Sequence, residues 1–225
     1  FWNAHLLGTD QQGRDVFVRV LVGARFSLLI AGSVVGIAGV IGLVLGMIAG
    51  YNRGLVEAFI MRLTDAVLAL PVILAALVLA TLYQPSVLLV IIALAINLWA
   101  GYARLIRGET LTVMSRDFIK LARIAGAGPV RIMFKHVLPH VVNTWVVLLT
   151  LQLGTAILAE SSLSFLGAGI PPPQPAWGIM AAEGRRYIRD AWWVALFPGV
   201  AIMIVVLSFN LVGDWLRDRL DPRLQ

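Results

Sequence analysis

Cysteine is absent from this chain, which removes disulfide frameworks, thiolate metal sites and cysteine nucleophiles together. Charge is scarce as well. Only 13% of the 225 residues are Asp, Glu, Lys or Arg, about half the share of an ordinary soluble domain. Lysine is nearly missing: Lys120 and Lys135 stand alone, and every other basic residue is arginine. The histidines are His5, His136 and His140, too few and too scattered for a metal centre. What fills the space is apolar: 60% of the residues are hydrophobic, and mean hydropathy is +0.88. The formal charge of +6 does not make this a nucleic-acid binder, because the arginines lie between long apolar runs and not on one solvated face. The composition is that of a membrane protein.

A helix crossing about 30 Å of hydrocarbon needs roughly 20 mostly apolar residues. Windows at 26–50, 63–83, 86–106, 139–160 and 192–213 meet that test and predict an all-α, polytopic helical membrane protein. In the first window Gly32, Gly36, Gly42, Gly46 and Gly50 predict a flat face for close helix packing. Pro71 is expected to kink the second window, and Gln84-Pro85-Ser86 leaves room only for a tight turn before the third.

Basic residues orient the chain, since cytoplasmic loops are enriched in them. The segments 51–62, 104–138 and 214–225 carry twice as many Lys and Arg as 1–25 and 161–191 together. The first set is therefore expected inside, with 1–25 an external N-terminal segment, 161–191 an external loop and 214–225 a cytoplasmic tail. Trp192, Trp193 and Trp215 suit the two interfacial belts. Five spans with an external start are unusual for a chain made in the cytoplasm. A further span ahead of Phe1 would restore an internal N-terminus.

The inner stretch 104–138 is too long for a connector. Ser115 is positioned to cap a short helix, Asp117 falls in its first turn, and Phe118, Ile119, Leu121, Ala122 and Ala125 give it apolar surface. Gly126-Ala127-Gly128 breaks it, and Pro129 starts a second helix running to Leu138-Pro139. By shape alone this is an interfacial helix pair. His136 and His140 have metal-ligand spacing, but Pro139 is expected to interrupt the helix between them, and no metal site is assigned. Neither lysine follows a glycine, so the chain has no phosphate-binding G-K-[ST] loop and no catalytic residues are assigned.

The run FIKLARIAGAGPVRIMFKHVLP (118–139) resembles the "EAA loop" of type I ABC importer permeases, with Ala122, Gly126, Leu138 and Pro139 at the pattern's spacing. Lys120 stands where that family usually has Glu, and Leu121 where it has Ala. LGTDQQGRDVFVRVLVGAR (7–25), AESSLSFLGAGIPPPQPAWG (159–178) and GDWLRDRLDPRL (213–224) resemble the dipeptide/oligopeptide/nickel branch, specifically its C-type subunit. That branch normally has six spans, the first preceding the LGTD stretch.

The resemblance implies a transmembrane domain over 26–213, working by alternating access and without chemistry of its own. It implies, as partners, a second homologous permease, cytoplasmic ATPases that bind the ATP and magnesium, and an external solute-binding protein, in a bacterial or archaeal inner membrane. Phe118, Lys120, Leu121, Ala122, Gly126, Leu138 and Pro139 would then form the ATPase-coupling loop. Peptide is the implied cargo, with nickel or another small solute as alternatives and a self-contained channel or secondary transporter as the distant one.

Several residues keep two readings. Asn97, Gln152 and Asn210, like Asn143, are either inter-helix hydrogen-bond partners or pathway residues. Glu160, which matches the family's glutamate before S-L-S-F-L-G, is either a hinge or gate contact or an exposed helix-end acid. Asp65 is read as a helix-start acid or a local partner of Arg62. Pro171-Pro172-Pro173, Pro175 and Trp177, with Arg185, Arg186 and Arg189, make the outer loop either a platform for a binding protein or a packed cap on the span ends.

Overall fold

A computed structural model describes residues 5–171 and 173–220. Among these residues the regular structure is helical: α1 (Val16–Tyr51), α2 (Leu55–Leu68), α3 (Val72–Leu82), α4 (Val87–Met114), α5 (Asp117–Ile124), α6 (Pro129–Arg131), a π-helical turn (Ile132–Val137), α7 (Leu138–Phe165), α8 (Trp177–Arg185) and α9 (Trp193–Leu220). Four helical rods are long and apolar enough to cross a membrane: α1, α4, α9 and the continuous stretch Pro129–Phe165. The second predicted span is not a kinked rod but two helices, α2 and α3, bent by 81°.

The break follows from Pro71. Its missing N–H leaves the Val67 carbonyl without its i+4 donor, and Asn97 Nδ2 on α4 reaches both Val67 O and Leu70 O, at 3.5 and 3.4 Å. Helix α2 also begins earlier than its apolar window, because Glu57 and Asp65 pair across to Arg107 and Arg104 of α4. Asp65 is thus neither a helix-start acid nor a partner of Arg62.

The chain forms two compact units. One comprises residues 35–71, Ala95–Leu151 and 212–220. Its core joins Met47 of α1, Ile106 and Val113 of α4, Ile119 of α5, Ile132 and Val137 of the π turn, and Val141 of α7. Glycine sets the approach of α1 to α4: a Cβ at Gly46 would lie 2.7 Å from the Ala103 carbonyl oxygen, and one at Gly50 2.6 Å from Thr110 Cβ. Gly42 faces Tyr102 in the same way. Gly32 and Gly36, expected on that face, have nothing nearby, so only the later glycines make the contact. Trp145 Nε1 donates to Gly39 O at 2.9 Å.

The other unit comprises residues 5–34, Val72–Leu94 and Gln152–Leu211. Val16, Met180 and Val194 are its buried centre, with Leu7, Trp193 and Phe197 packed around them. Helix α1 starts behind Asp15, whose Oδ1 accepts from the backbone N–H groups of Phe17 and Val18 at 2.7 and 3.3 Å. The predicted outer loop 161–191 is largely helical: α7 runs on to Phe165, and α8 occupies its second half. Pro172 of the proline run, and Asp221 to Gln225 of the tail, lie outside the described residues.

Candidate functional site

The short helix α5 starts at an extended Arg116, and Ser115 does not cap it. Ser115 Oγ donates instead to Thr112 O at 2.8 Å, the bond that closes the preceding helix α4. Asp117 occupies the first turn and accepts from Lys120 Nζ at 2.7 Å. That hydrogen bond, with the lysine's charge, holds the Asp117 carboxyl below the usual carboxylate range. The helix ends in a Schellman turn: Ala127 N–H donates to Ala122 O and Gly126 N–H to Arg123 O, each at 3.0 Å, with Gly126 at φ +81°.

Helix α5 splits its side chains cleanly. Ile119 is fully buried, and Phe118 is half-buried against the rings of His136 and His140, with centroids 6.5 and 5.3 Å away. Leu121 and Ile124, on the other side, are 65% and 84% exposed. Past the turn, Val130 and Phe134 are also exposed, while Leu138 is packed on the core. Ala122 is half-buried and Pro139 exposed.

Pro139 does not interrupt the helix. The turn before it widens, Leu138 N–H donating to Met133 O five residues back, and the rod continues as α7. A π turn is the spacing that relieves the clash between a proline ring and the carbonyl one turn behind it. His136 and His140 therefore flank Phe118, and among the described residues no three His, Cys, Asp or Glu come together as a metal site.

The second cluster lies where α1, α7 and α8 meet. Glu160 is fully buried one turn inside α7 and is not an exposed helix-end acid. Its carboxylate accepts from Ser164 Oγ at 2.7 Å, Ser27 Oγ at 3.3 Å and Ser161 Oγ at 3.4 Å. Ser27 Oγ in turn accepts the Trp177 backbone N–H at 3.4 Å. Trp177 is only 2% exposed, and its indole N–H donates to Val20 O at 2.9 Å. The expected binding-protein contact at Trp177 is thus corrected: the ring is a buried tie between α8 and α1.

Nearby, Arg19 Nη1 bridges Asp10 Oδ2 at 2.6 Å and Glu183 Oε2 at 2.9 Å. Burial pushes the Asp10 carboxyl up, yet hydrogen bonds from the Arg14 N–H, the Arg14 side chain and the Gln12 N–H outweigh it and hold the group below its ordinary value. On the surface of this region the Arg185 guanidinium sits 5.1 Å from the centre of the Phe165 ring, and Arg186 and Arg189 are exposed.

The pathway candidates are scattered. Asn97 is buried and spends its amide on the α2 break. Gln152 is half-buried on α7. Asn210 is exposed on α9 and lines an open apolar groove of about 400 Å³ with Leu158, Gly199, Ile202 and Val206, among others. The Arg19, Asp10 and Glu183 network and the Glu160 serines were not anticipated from sequence. Their partners are too far apart in the chain for helical spacing to reveal them.

Long apolar rods, one broken span and a basic helix–turn–helix between α4 and α7 define a polytopic transport subunit of the type I ABC importer class. Residues 42–225 match the family described as binding-protein-dependent transport system inner membrane component, and the chain belongs to that family. It is 45% identical, over 98% of its own length and 73% of the relative's, to the di/tripeptide transport system permease protein DppC of Pseudomonas aeruginosa. It is 43% identical, over 99% of its length and 74% of the relative's, to the glutathione transport system permease protein GsiD of Pectobacterium atrosepticum. Among solved structures, an inward-facing form of the MetNI methionine ABC transporter shares the fold, with TM-score 0.77, 18% identity and coverage of 91% of this chain and 97% of that one. An amino acid ABC transporter matches with TM-score 0.69 and 15% identity, over 90% and 94% of the two chains.

Proposed function

We propose that this permease carries short peptides inward across a bacterial cytoplasmic membrane as one half of a pathway completed by a second, similar subunit. The observation that carries the cargo reading is its 45% identity, over almost its whole length, to a di/tripeptide permease. The glutathione relative points the same way, since glutathione is itself a tripeptide. Nothing in the geometry favours nickel: no metal cluster forms among the described residues.

Energy enters through α5 and the turn that follows it. Leu121 and Ile124 stand out from the protein, while Phe118, Ala122 and Leu138 anchor the same segment to α1, α4 and α7. A cytoplasmic ATPase that seizes the exposed side and closes on ATP would move the spans through the anchored side. Gly126 permits the reversal between the two helices, Lys120 is fixed toward Asp117, and Pro139 ends the π turn that passes motion into α7. Outside, Arg185, Arg186 and Arg189 offer charge to a solute-binding protein. Gln152 and Asn210 are the polar groups we assign to the pathway, and Glu160 is the hinge that holds α8 to it.

The test is uptake. Deletion of this subunit from its native cell should abolish accumulation of labelled di- and tripeptides, and the wild-type chain should restore it. Unchanged peptide uptake in the deletion would overturn the reading.

A further inference from the structure

The docking face of α5 carries a charge pattern that its partner must answer. Between Arg116 and Lys135 the chain places Arg116, Lys120, Arg123, Arg131 and Lys135 against a single acid, Asp117. Asp117 is bound to Lys120 in a fully solvated pair with side chains 88% and 66% exposed, so it offsets one cation and no more. Arg123 lies over the Tyr51 ring, 5.9 Å from its centre, where its charge is kept and its position fixed. The exposed apolar residues Leu121, Ile124, Val130 and Phe134 are interleaved with these cations.

Direction separates a protein partner from lipid. Ile119 points to Met47, Ile106 and Val141, that is, to the ends of α1, α4 and α7. At 100° per residue, Leu121 and Ile124 are turned about 200° and about 140° from Ile119, so they face away from the spans. An interfacial helix would turn its apolar residues toward the hydrocarbon and its cations outward. Here the apolar pair and the cations project together, in the direction a soluble protein would approach.

We propose that the surface receiving α5 is a groove on the cytoplasmic ATPase with an apolar floor for Leu121 and Ile124 and a rim of Asp and Glu side chains facing Lys120, Arg123 and Arg131. The proposal rests on the reading of this loop as the ATPase contact. Cations at a rim act mainly on encounter and on salt dependence, whereas the central apolar pair carries the affinity. The two contributions are therefore separable by experiment.

The experiment uses the whole complex, co-expressed and purified with its ATPases, with ATPase retention measured from about 50 mM to about 500 mM salt. The expected result is that rising salt weakens retention and that Lys120→Glu with Arg131→Glu weakens it about tenfold at low salt. Leu121→Ser with Ile124→Ser should abolish it at every salt. If the apolar variant loses the ATPase while salt and charge reversal do nothing, the acidic rim is overturned and the docking reading stands. If no variant changes retention, the docking reading falls and the proposal with it. If charge reversal matters only in phosphatidylglycerol bilayers and not in phosphatidylcholine, the cations serve anionic lipid and the proposal is overturned. Should the reversed variant fail to fold, the wild-type salt titration decides alone: retention that falls with salt supports the acidic rim, and retention indifferent to salt overturns it.

Discussion

Glu160 shows how one side chain can hold three helices. Its carboxylate gathers hydroxyls from α1 and α7, and through Ser27 it fixes the start of α8. Removing it strands three buried donors, so Glu160→Ala should lower stability by about 1–3 kcal/mol, while Glu160→Gln, which keeps an acceptor oxygen, should cost less. Thermal unfolding of the purified protein checks the order. Asp10 makes a second prediction, in pH. Its folded pKa lies below the unfolded 3.8, so the stability it adds is present above that pH and is lost as pH falls through the lower, folded value. Asp10→Asn should therefore flatten the acid limb of the unfolding profile, and an unchanged acid limb would show that the network does not matter. Neither residue announces its role in sequence. Ser27 and Glu160 are 133 residues apart, and only the fold brings them together.

The elements divide into those dictated by the solvent and those dictated by partners. Apolar runs long enough for a bilayer must be helical, because a backbone in hydrocarbon has to satisfy its own hydrogen bonds. For that reason α1, α4, α7 and α9 were legible from hydropathy. The ends of helices are set by competing local bonds, and there the reading failed: Ser115 has two carbonyl and amide options, and it takes the Thr112 carbonyl. The break between α2 and α3 was legible as a disturbance at Pro71, but its 81° bend depends on Asn97 arriving from another helix. Asn97→Leu should then destabilise the protein by about 1–3 kcal/mol by leaving freed carbonyls unmet. Gly126→Ala is a contrasting case. There is open space around the position, so the penalty is only that of a left-handed backbone, about 1–2 kcal/mol, measurable as a modest loss of thermal stability.

For the molecule as a whole, the distribution of arginine is a statement about sidedness. If the basic segments lie inside, Lys120 and Arg186 are on opposite faces of the membrane. The absence of cysteine makes the check direct. In intact cells, Arg186→Cys should react with an impermeant maleimide and Lys120→Cys should not, until the membrane is opened. The reverse pattern would invert the assigned topology.

The π turn ahead of Pro139 has a consequence of its own. Such a turn is a helix carrying one residue too many, and the surplus sets the rotational phase between α7 and everything before it. Excising a single residue from Ile132–Val137 would let the ladder regularise, and it would rotate the preceding segment by about 100° relative to α7. The basic face would then aim elsewhere with its composition untouched. Handedness and bearing, as well as residue identity, are thus encoded in the length of this stretch, which should tolerate substitution far better than deletion.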